Sequence, residues 1–272
     1  MSKTSLFWIA AVIITVFSAV FQRYTGPTHP KRVSVTVEEE KWSFRLTRSH
    51  TTDRDFFISL DDAPLSVKGE VFYRRYPTDD EWSKVSLERE GDDLVTRLPV
   101  QPAAGKLEYY LALESGGEKI KPVDNDTVVI RFKDPVPAGF LLPHVLFMFI
   151  AMLLSNLTGL MAVFRDKRFR LYSLLTLSFL IAGGMILGPV IQKYAFGDLW
   201  TGFPLGRDLT DNKTLVAVIA WTGAVFLNLK KERRWAVVVA ALVLLIVYFI
   251  PHSIMGSELD YETGEVITGQ LI

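Results

Sequence analysis

Five long apolar runs set the first limit on what this chain can fold into: residues 6–21, 140–164, 171–191, 214–229 and 235–250. A helix needs roughly 20 mostly apolar residues to cross about 30 Å of hydrocarbon, and runs of roughly 17 manage it when snorkelling or amphipathic side chains flank them. Two runs clear that length. The others have suitable flanks: Lys213 and Asn228 bracket the fourth run, and Trp235 and Tyr248 lie near the ends of the fifth, where amphipathic rings favour the interface. The reading is five transmembrane helices.

Charge distribution orients them. The segments "RDKRFR" (165–170) and "KKERR" (230–234) each carry four basic residues and one acidic residue, whereas the connection 192–213 balances three of each. Basic short loops lie on the cytoplasmic side. The amino terminus is therefore expected in the cytoplasm, with residues 22–139, the 192–213 loop and the carboxy-terminal segment outside. The first run reads as an uncleaved anchor rather than a signal peptide, because its basic region is only Lys3 and the terminal amine, and Phe17 stands where cleavage after Ala19 wants a small residue. The 30 basic and 30 acidic side chains cancel, so no global excess points to nucleic acid. With no cysteine, disulfides, thiolate metal sites and cysteine lipidation are excluded.

Residues 31–135 change character. Short alternating segments such as "DFFISLD", "KLEYYLAL" and "TVVIRF" are separated by turn chemistry such as "DDAP", "EGDD" and "SGGE". Alternation puts Phe56, Ile58 and Leu60 on one face, likewise Leu107, Tyr109, Leu111 and Leu113, and Val128, Ile130 and Phe132. About 100 residues in seven or eight strands is the size of an immunoglobulin-like sandwich. The stretch "VFYRRYPTDDEWSKVSLEREGDDLVTRLPVQPAAGKLEYYLAL" resembles the central strands of a fibronectin type III or related immunoglobulin-like domain. That resemblance implies that Tyr109 or Tyr110 fills a tyrosine-corner role, and that the domain binds partners or positions other modules.

The expected organisation is an anchor at 1–24, an extracytoplasmic all-β sandwich at 31–135, a four-helix transmembrane bundle at 140–251 and an extracytoplasmic acidic tail at 252–272. In the third run Gly183, Gly184, Gly188 and Pro189 permit close helix contact and a bend, and Ser155, Asn156 and Thr158 in the second read as interhelical hydrogen-bonding groups. No Lys, Arg, Asp or Glu lies well inside any run, which weakens an ion-coupled transport reading.

Polar interest gathers at one end. His144 opens the second run and His252 follows the fifth, each after a proline, while the 192–213 loop supplies Asp198, Trp200, Phe203, Arg207, Asp208 and Asp211. The motif "DLTDNKT" offers Thr210 or Asp211 as amino-terminal cap of the fourth helix. The tail "HSIMGSELDYETGEV" is similar to the closing motif of a group of uncharacterised four-helix bacterial membrane proteins. His252, Gly256, Glu258, Leu259, Tyr261 and Gly264 match it in kind, and Thr263 stands where that group often has a second histidine.

Two functions are expected from these residues. The first is a non-enzymatic component of a bacterial inner-membrane complex without cofactor, in contact with the bilayer and a protein partner. Its partner surface is formed by Tyr73, Arg74 and Arg75 of the β domain and Trp200, Phe203 and Arg207 of the loop. The rival is a redox protein in which His144 and His252, with Glu258, Asp198 and Asp208 nearby, hold a haem or a divalent metal.

Overall fold

The computed structural model describes residues 2–120, 127–252 and 254–268. Two compact units emerge. One is helical and takes in the chain up to Pro27, Val136–Ser257 and Thr268; the other is built of strands and takes in Thr28–Pro135 together with Glu258–Ile267.

The helical unit contains five helices among the described residues: α1 (Lys3–Thr25), α2 (Ala138–Val163), α3 (Phe169–Phe196), α4 (Leu209–Leu227) and α5 (Arg234–Phe249). The first three are long and apolar enough to cross a membrane. The fourth, 19 residues long, has Asp211, Asn212 and Lys213 among its first five residues, and α5 is shorter, at 16 residues. A shared apolar core runs from Phe7 and Ala11 of α1 through Met152 and Leu157 of α2 to Trp221 of α4 and Leu244 of α5. The first helix is thus packed into the bundle. A hydrogen bond ties it there: the Asn156 amide on α2 donates to the Thr15 hydroxyl on α1 over 3.0 Å. Thr158 on α2 likewise meets Thr176 on α3 at 3.5 Å. Such bonds hold apolar helices in register where water is absent.

Within α3, Ile181–Leu187 winds as a π-helix. Its sequence, IAGGMIL, explains where the wide turn can pack. A Cβ on Gly184 would lie 2.7 Å from the Thr214 methyl group of α4, so only glycine allows this approach.

In the β unit the strands are β1 (Lys31–Val37), β2 (Glu40–Leu46), β3 (Ser49–Thr51), β4 (Phe56–Leu60), β5 (Val67–Arg75), β6 (Ser83–Ser86), β7 (Glu88–Glu90), β8 (Asp93–Leu98), β9 (Lys106–Ser115), β10 (Glu118–Ile120) and β11 (Val128–Lys133), with β12 (Ser257–Leu259) and β13 (Val266–Thr268) from the end of the chain. The main sheet runs β3-β11-β9-β5-β6, with β10 also paired to β9; β4-β8-β7 form a second sheet, and β1-β2 and β12-β13 are hairpins. All pairs in the main sheet are antiparallel except β3 with β11. The sequence reading counted seven or eight strands in a sandwich. Among the described residues the region instead divides into more and shorter strands over several separate sheets, with no closed sandwich.

One apolar core joins the β1-β2 hairpin, the second sheet and the main sheet. Val33, Trp42 and Phe44 of the first hairpin pack with Phe56, Ile58 and Leu98 of the second sheet and with Val71, Tyr109, Leu111, Ile130 and Phe132 of the main sheet. The inward sets match the period-2 alternation read from the sequence. Alternation also fixes what faces outward: register pairs Val71 with Leu111 on the core side, and therefore Phe72 with Tyr110 on the other.

Candidate functional site

Three constellations bring together the residues singled out in the sequence, and each belongs to one unit.

The outward face of β5, β6 and β9 carries an aromatic cluster. Phe72 and Tyr110 stack with centroids 5.0 Å apart and planes 3° from parallel, and Trp82 meets Tyr110 edge-on at 5.0 Å. The Arg74 guanidinium lies 4.7 Å over the Trp82 ring and is ion-paired with Glu108, its register partner across the strands. Arg75 forms a two-bonded pair with Asp80, at 2.6 and 3.1 Å. That guanidinium holds the Asp80 carboxyl below the ordinary carboxylate range. Tyr73, by alternation, points the other way and packs half-buried against the core. Of the three β-unit residues among the six expected to form a partner surface, Arg74 belongs to this face and Tyr73 does not; Arg75 is half exposed.

A second constellation sits where the carboxy-terminal segment joins the β unit. Lys106, the first residue of β9, is 2% exposed and is ion-paired with Glu258, itself 4% exposed. The Tyr261 hydroxyl accepts from the Lys106 backbone N–H at 2.9 Å and donates to its carbonyl at 2.7 Å. The Leu259 N–H donates to the Ala104 carbonyl at 3.1 Å, and the Arg75 guanidinium lies 5.1 Å over the Tyr261 ring. Burial lowers the Lys106 pKa and pushes the Tyr261 phenol up to about 12. The sequence reading set residues 252–272 apart as an acidic tail. Residues Glu258–Ile267 are instead a built part of the β unit, because a lysine buried in β9 needs a carboxylate and the tail supplies it. Residues 253 and 269–272 of that tail lie outside the described residues.

In the helical unit, the third constellation is the corner between α3 and α4. Asp208 caps α4, its carboxylate accepting from the N–H groups of Thr210 at 2.7 Å and Asp211 at 3.3 Å. The cap expected at Thr210 or Asp211 is thus two or three residues earlier, and the helix starts ahead of its apolar run. Asp211 is freed to accept from the N–H groups of Thr201 at 2.7 Å and Gly202 at 3.1 Å, which folds the loop back over the helix start. The loop closes tightly: a Cβ on Gly206 would lie 2.3 Å from the Thr201 carbonyl. Trp200 donates to the Phe203 carbonyl at 3.1 Å, and the Arg207 N–H donates to the Thr268 hydroxyl at 3.1 Å. Phe203 and Leu205 stand 69% and 78% exposed. Lys213, 6% exposed, donates to the Ile250 carbonyl at 2.7 Å.

The proposed ligand set is divided by this arrangement. His144 donates through Nδ1 to the Gly183 carbonyl, 2.9 Å away in the π-helical turn. His252 is exposed and stands within electrostatic reach of Lys213 and His144. Asp208 is engaged as a cap, Asp198 is an exposed loop residue, and Glu258 is ion-paired with Lys106 in the other unit. Among the described residues no group of three or more His, Asp or Glu side chains is placed to hold a metal ion.

Lys106, Tyr261 as a backbone clamp, and Phe72, Trp82 and Tyr110 as one face do not stand out in the sequence. Signals for two of these were present. A lysine entering the apolar strand "KLEYYLAL" and a tail with four acids and no base are complementary, and Phe72 and Tyr110 share the outward parity of their strands.

Comparison with known proteins yields no matching family model, no matching curated protein and no matching solved structure.

Proposed function

We propose that the protein is a non-enzymatic membrane component of a bacterial envelope complex, and that it engages a protein partner through the outward aromatic face of its β unit. In this reading all five helices cross the inner membrane, the amino terminus is cytoplasmic by the charge rule, and the β unit stands outside. The β unit is read as an immunoglobulin-like module. The Tyr109 hydroxyl donates to the Thr47 carbonyl at 2.8 Å, the backbone-capping role that resemblance implies.

One observation carries the proposal: Phe72, Tyr110, Trp82 and Arg74 form an ordered, half-exposed stack on the face of the main sheet that does not contribute to the core. Aromatic rings and arginine dominate the energetics of protein interfaces. Here they are already locked by ring contacts and by the ion pair of Arg74 with Glu108, so a partner meets side chains whose ordering cost has been met during folding. The corner loop, with Phe203 and Leu205 exposed, offers a separate apolar contact on the helical unit.

Photo-crosslinking in native membranes tests this. A photoreactive amino acid at Trp82 of the full chain is expected to give a discrete adduct that Arg74→Ala weakens several-fold. The same group at Leu65, exposed elsewhere on the β unit, is expected to give none. Equal labelling from both positions, or no adduct from either, would overturn the reading.

A further inference from the structure

The basic residues that orient the chain also build something local. An open groove of about 560 Å³ lies between the end of α2 and the start of α5, lined by Ala162, Val163, Arg165, Arg233, Arg234 and Trp235 together with Lys231 and Glu232. Its charge balance is four bases to one acid. The acid is already used, since Glu232 pairs with Arg234 at 2.7 Å. Arg165, Lys231 and Arg233 are exposed and form no salt bridge among the described residues. The nearby Asp166 does not oppose them, because Arg168 binds its carboxylate at 2.6 and 3.1 Å.

Two further features point the groove at an anion. Arg233 occupies the cap position of the 16-residue helix α5 and makes no side-chain cap bond, so the backbone donors of that helix start lack the usual side-chain acceptor. The loop that carries Lys231 and Arg233 is also fixed in place. Asn228 accepts from the Arg233 N–H at 2.7 Å and donates to the Arg233 carbonyl at 3.1 Å and the Ala224 carbonyl at 2.8 Å. On the other wall Arg165 adopts φ +60°, a left-handed conformation that usually falls to glycine at a helix end and costs a larger residue roughly 1–2 kcal/mol. The turn is held by the backbone, with the Asp166 N–H donating to the Met161 carbonyl at 2.9 Å and the Arg165 N–H to the Ala162 carbonyl at 3.4 Å, so the end of α2 carries Arg165 at a fixed, exposed place on this wall.

What surrounds the groove identifies the ligand. Val163, Phe164 and Trp235 stand beside the cations and are 56%, 63% and 60% exposed. A site with basic residues on one side and exposed apolar residues at the ends of membrane helices on the other fits a molecule with a phosphate and acyl chains. We propose that this groove is a binding site for the headgroup of an anionic phospholipid. Arg165, Lys231 and Arg233 bind its phosphate oxygens, and Trp235 and Val163 lie along its acyl chains.

The test uses full-length protein purified in mild detergent and exposed to defined lipid. Native mass spectrometry is expected to show retention of phosphatidylglycerol or cardiolipin at least 10-fold over phosphatidylethanolamine. The R165Q/R233Q double variant is expected to lose that preference. K167Q/K230Q removes the same net charge from residues outside the groove and is expected to keep it. Thermal stabilisation by the anionic lipid should follow the same pattern, and inorganic phosphate alone should not reproduce it. The proposal fails if the two lipid classes are retained equally, if both double variants lose the preference alike, or if inorganic phosphate stabilises as much as the lipid.

Discussion

Lys106 in the β unit and Lys213 in the helical unit are both almost fully buried, yet their partners differ in kind. Lys106 meets a carboxylate, Glu258, and its own backbone is clamped by Tyr261. Lys213 donates to the Ile250 carbonyl just beyond the end of α5, and the Asp208 carboxylate acts on it only at a distance and is hydrogen-bonded as the cap of α4. Both partners come from the segment that follows the last helix. In the β unit that segment neutralises a charge, so removing it strands an ion; in the helical unit it supplies a dipole at a helix end, so the lysine can be replaced at smaller cost. The same stretch of chain thus supplies a counter-charge to one unit and neutral acceptors to the other, the Ile250 and Met255 carbonyls and the Thr268 hydroxyl.

Breaking the comparison at its strong end should give the largest effect. Glu258→Ala leaves Lys106 buried without a counter-ion and is expected to destabilise the β unit by about 3–5 kcal/mol, read from the opening free energy of the β9 amides in hydrogen exchange. The double replacement Lys106→Met with Glu258→Leu is expected to recover most of that loss, because a buried pair replaced by apolar side chains of similar size costs little. Tyr261→Phe comes next. It removes one acceptor and one donor facing the Lys106 backbone and should cost about 2 kcal/mol by the same readout. At the weak end, Lys213→Met is expected to stay within about 1 kcal/mol of the parent in thermal unfolding of the detergent-solubilised protein, since the neutral Ile250 carbonyl it leaves still accepts from the Gln22 amide at 3.4 Å. A loss as large as that of Glu258→Ala would erase the distinction.

A pH titration sharpens the β side further. Burial raises the Tyr261 phenol from its ordinary 10.0 to about 12, so between those values the folded state holds a proton that the unfolded chain has released. Its contribution is present in full below pH 10 and is lost as pH rises through about 12. Parent and Tyr261→Phe should therefore converge in stability across that interval. A difference that stays constant to pH 12 would contradict the phenol's role.

How much of this the sequence disclosed depends on the reach of each interaction. The helical runs and the β alternation are local patterns and were legible to within a few residues, as with 140–164 against Ala138–Val163. Gly184 was legible as a point of close approach because glycine in an apolar run has few other uses. The cap of α4 was misplaced because Asp208, Thr210 and Asp211 are all good caps, and only the bonds of Asp211 to Thr201 and Gly202 decide which one remains free. The pair of Lys106 with Glu258 was not legible: 152 residues separate them, and one lysine and one glutamate carry no pattern. The aromatic face fell between these cases. Parity exposes Phe72 and Tyr110, but their pairing requires the register of β5 against β9, and Trp82 joins only through the turn that follows.

Exchange at the Leu259 amide tests most directly whether the end of the chain is part of the β unit. Its N–H is bonded to the Ala104 carbonyl, beside the strand that begins at Lys106. Hydrogen exchange of the full-length protein in detergent or nanodiscs should show Leu259 opening with the same free energy as the β9 amides, and Glu258→Ala should lower both together. Exchange of Leu259 at the rate of an unstructured chain, while β9 stays protected, would show that the segment is an appendage and that Lys106 is stabilised without it.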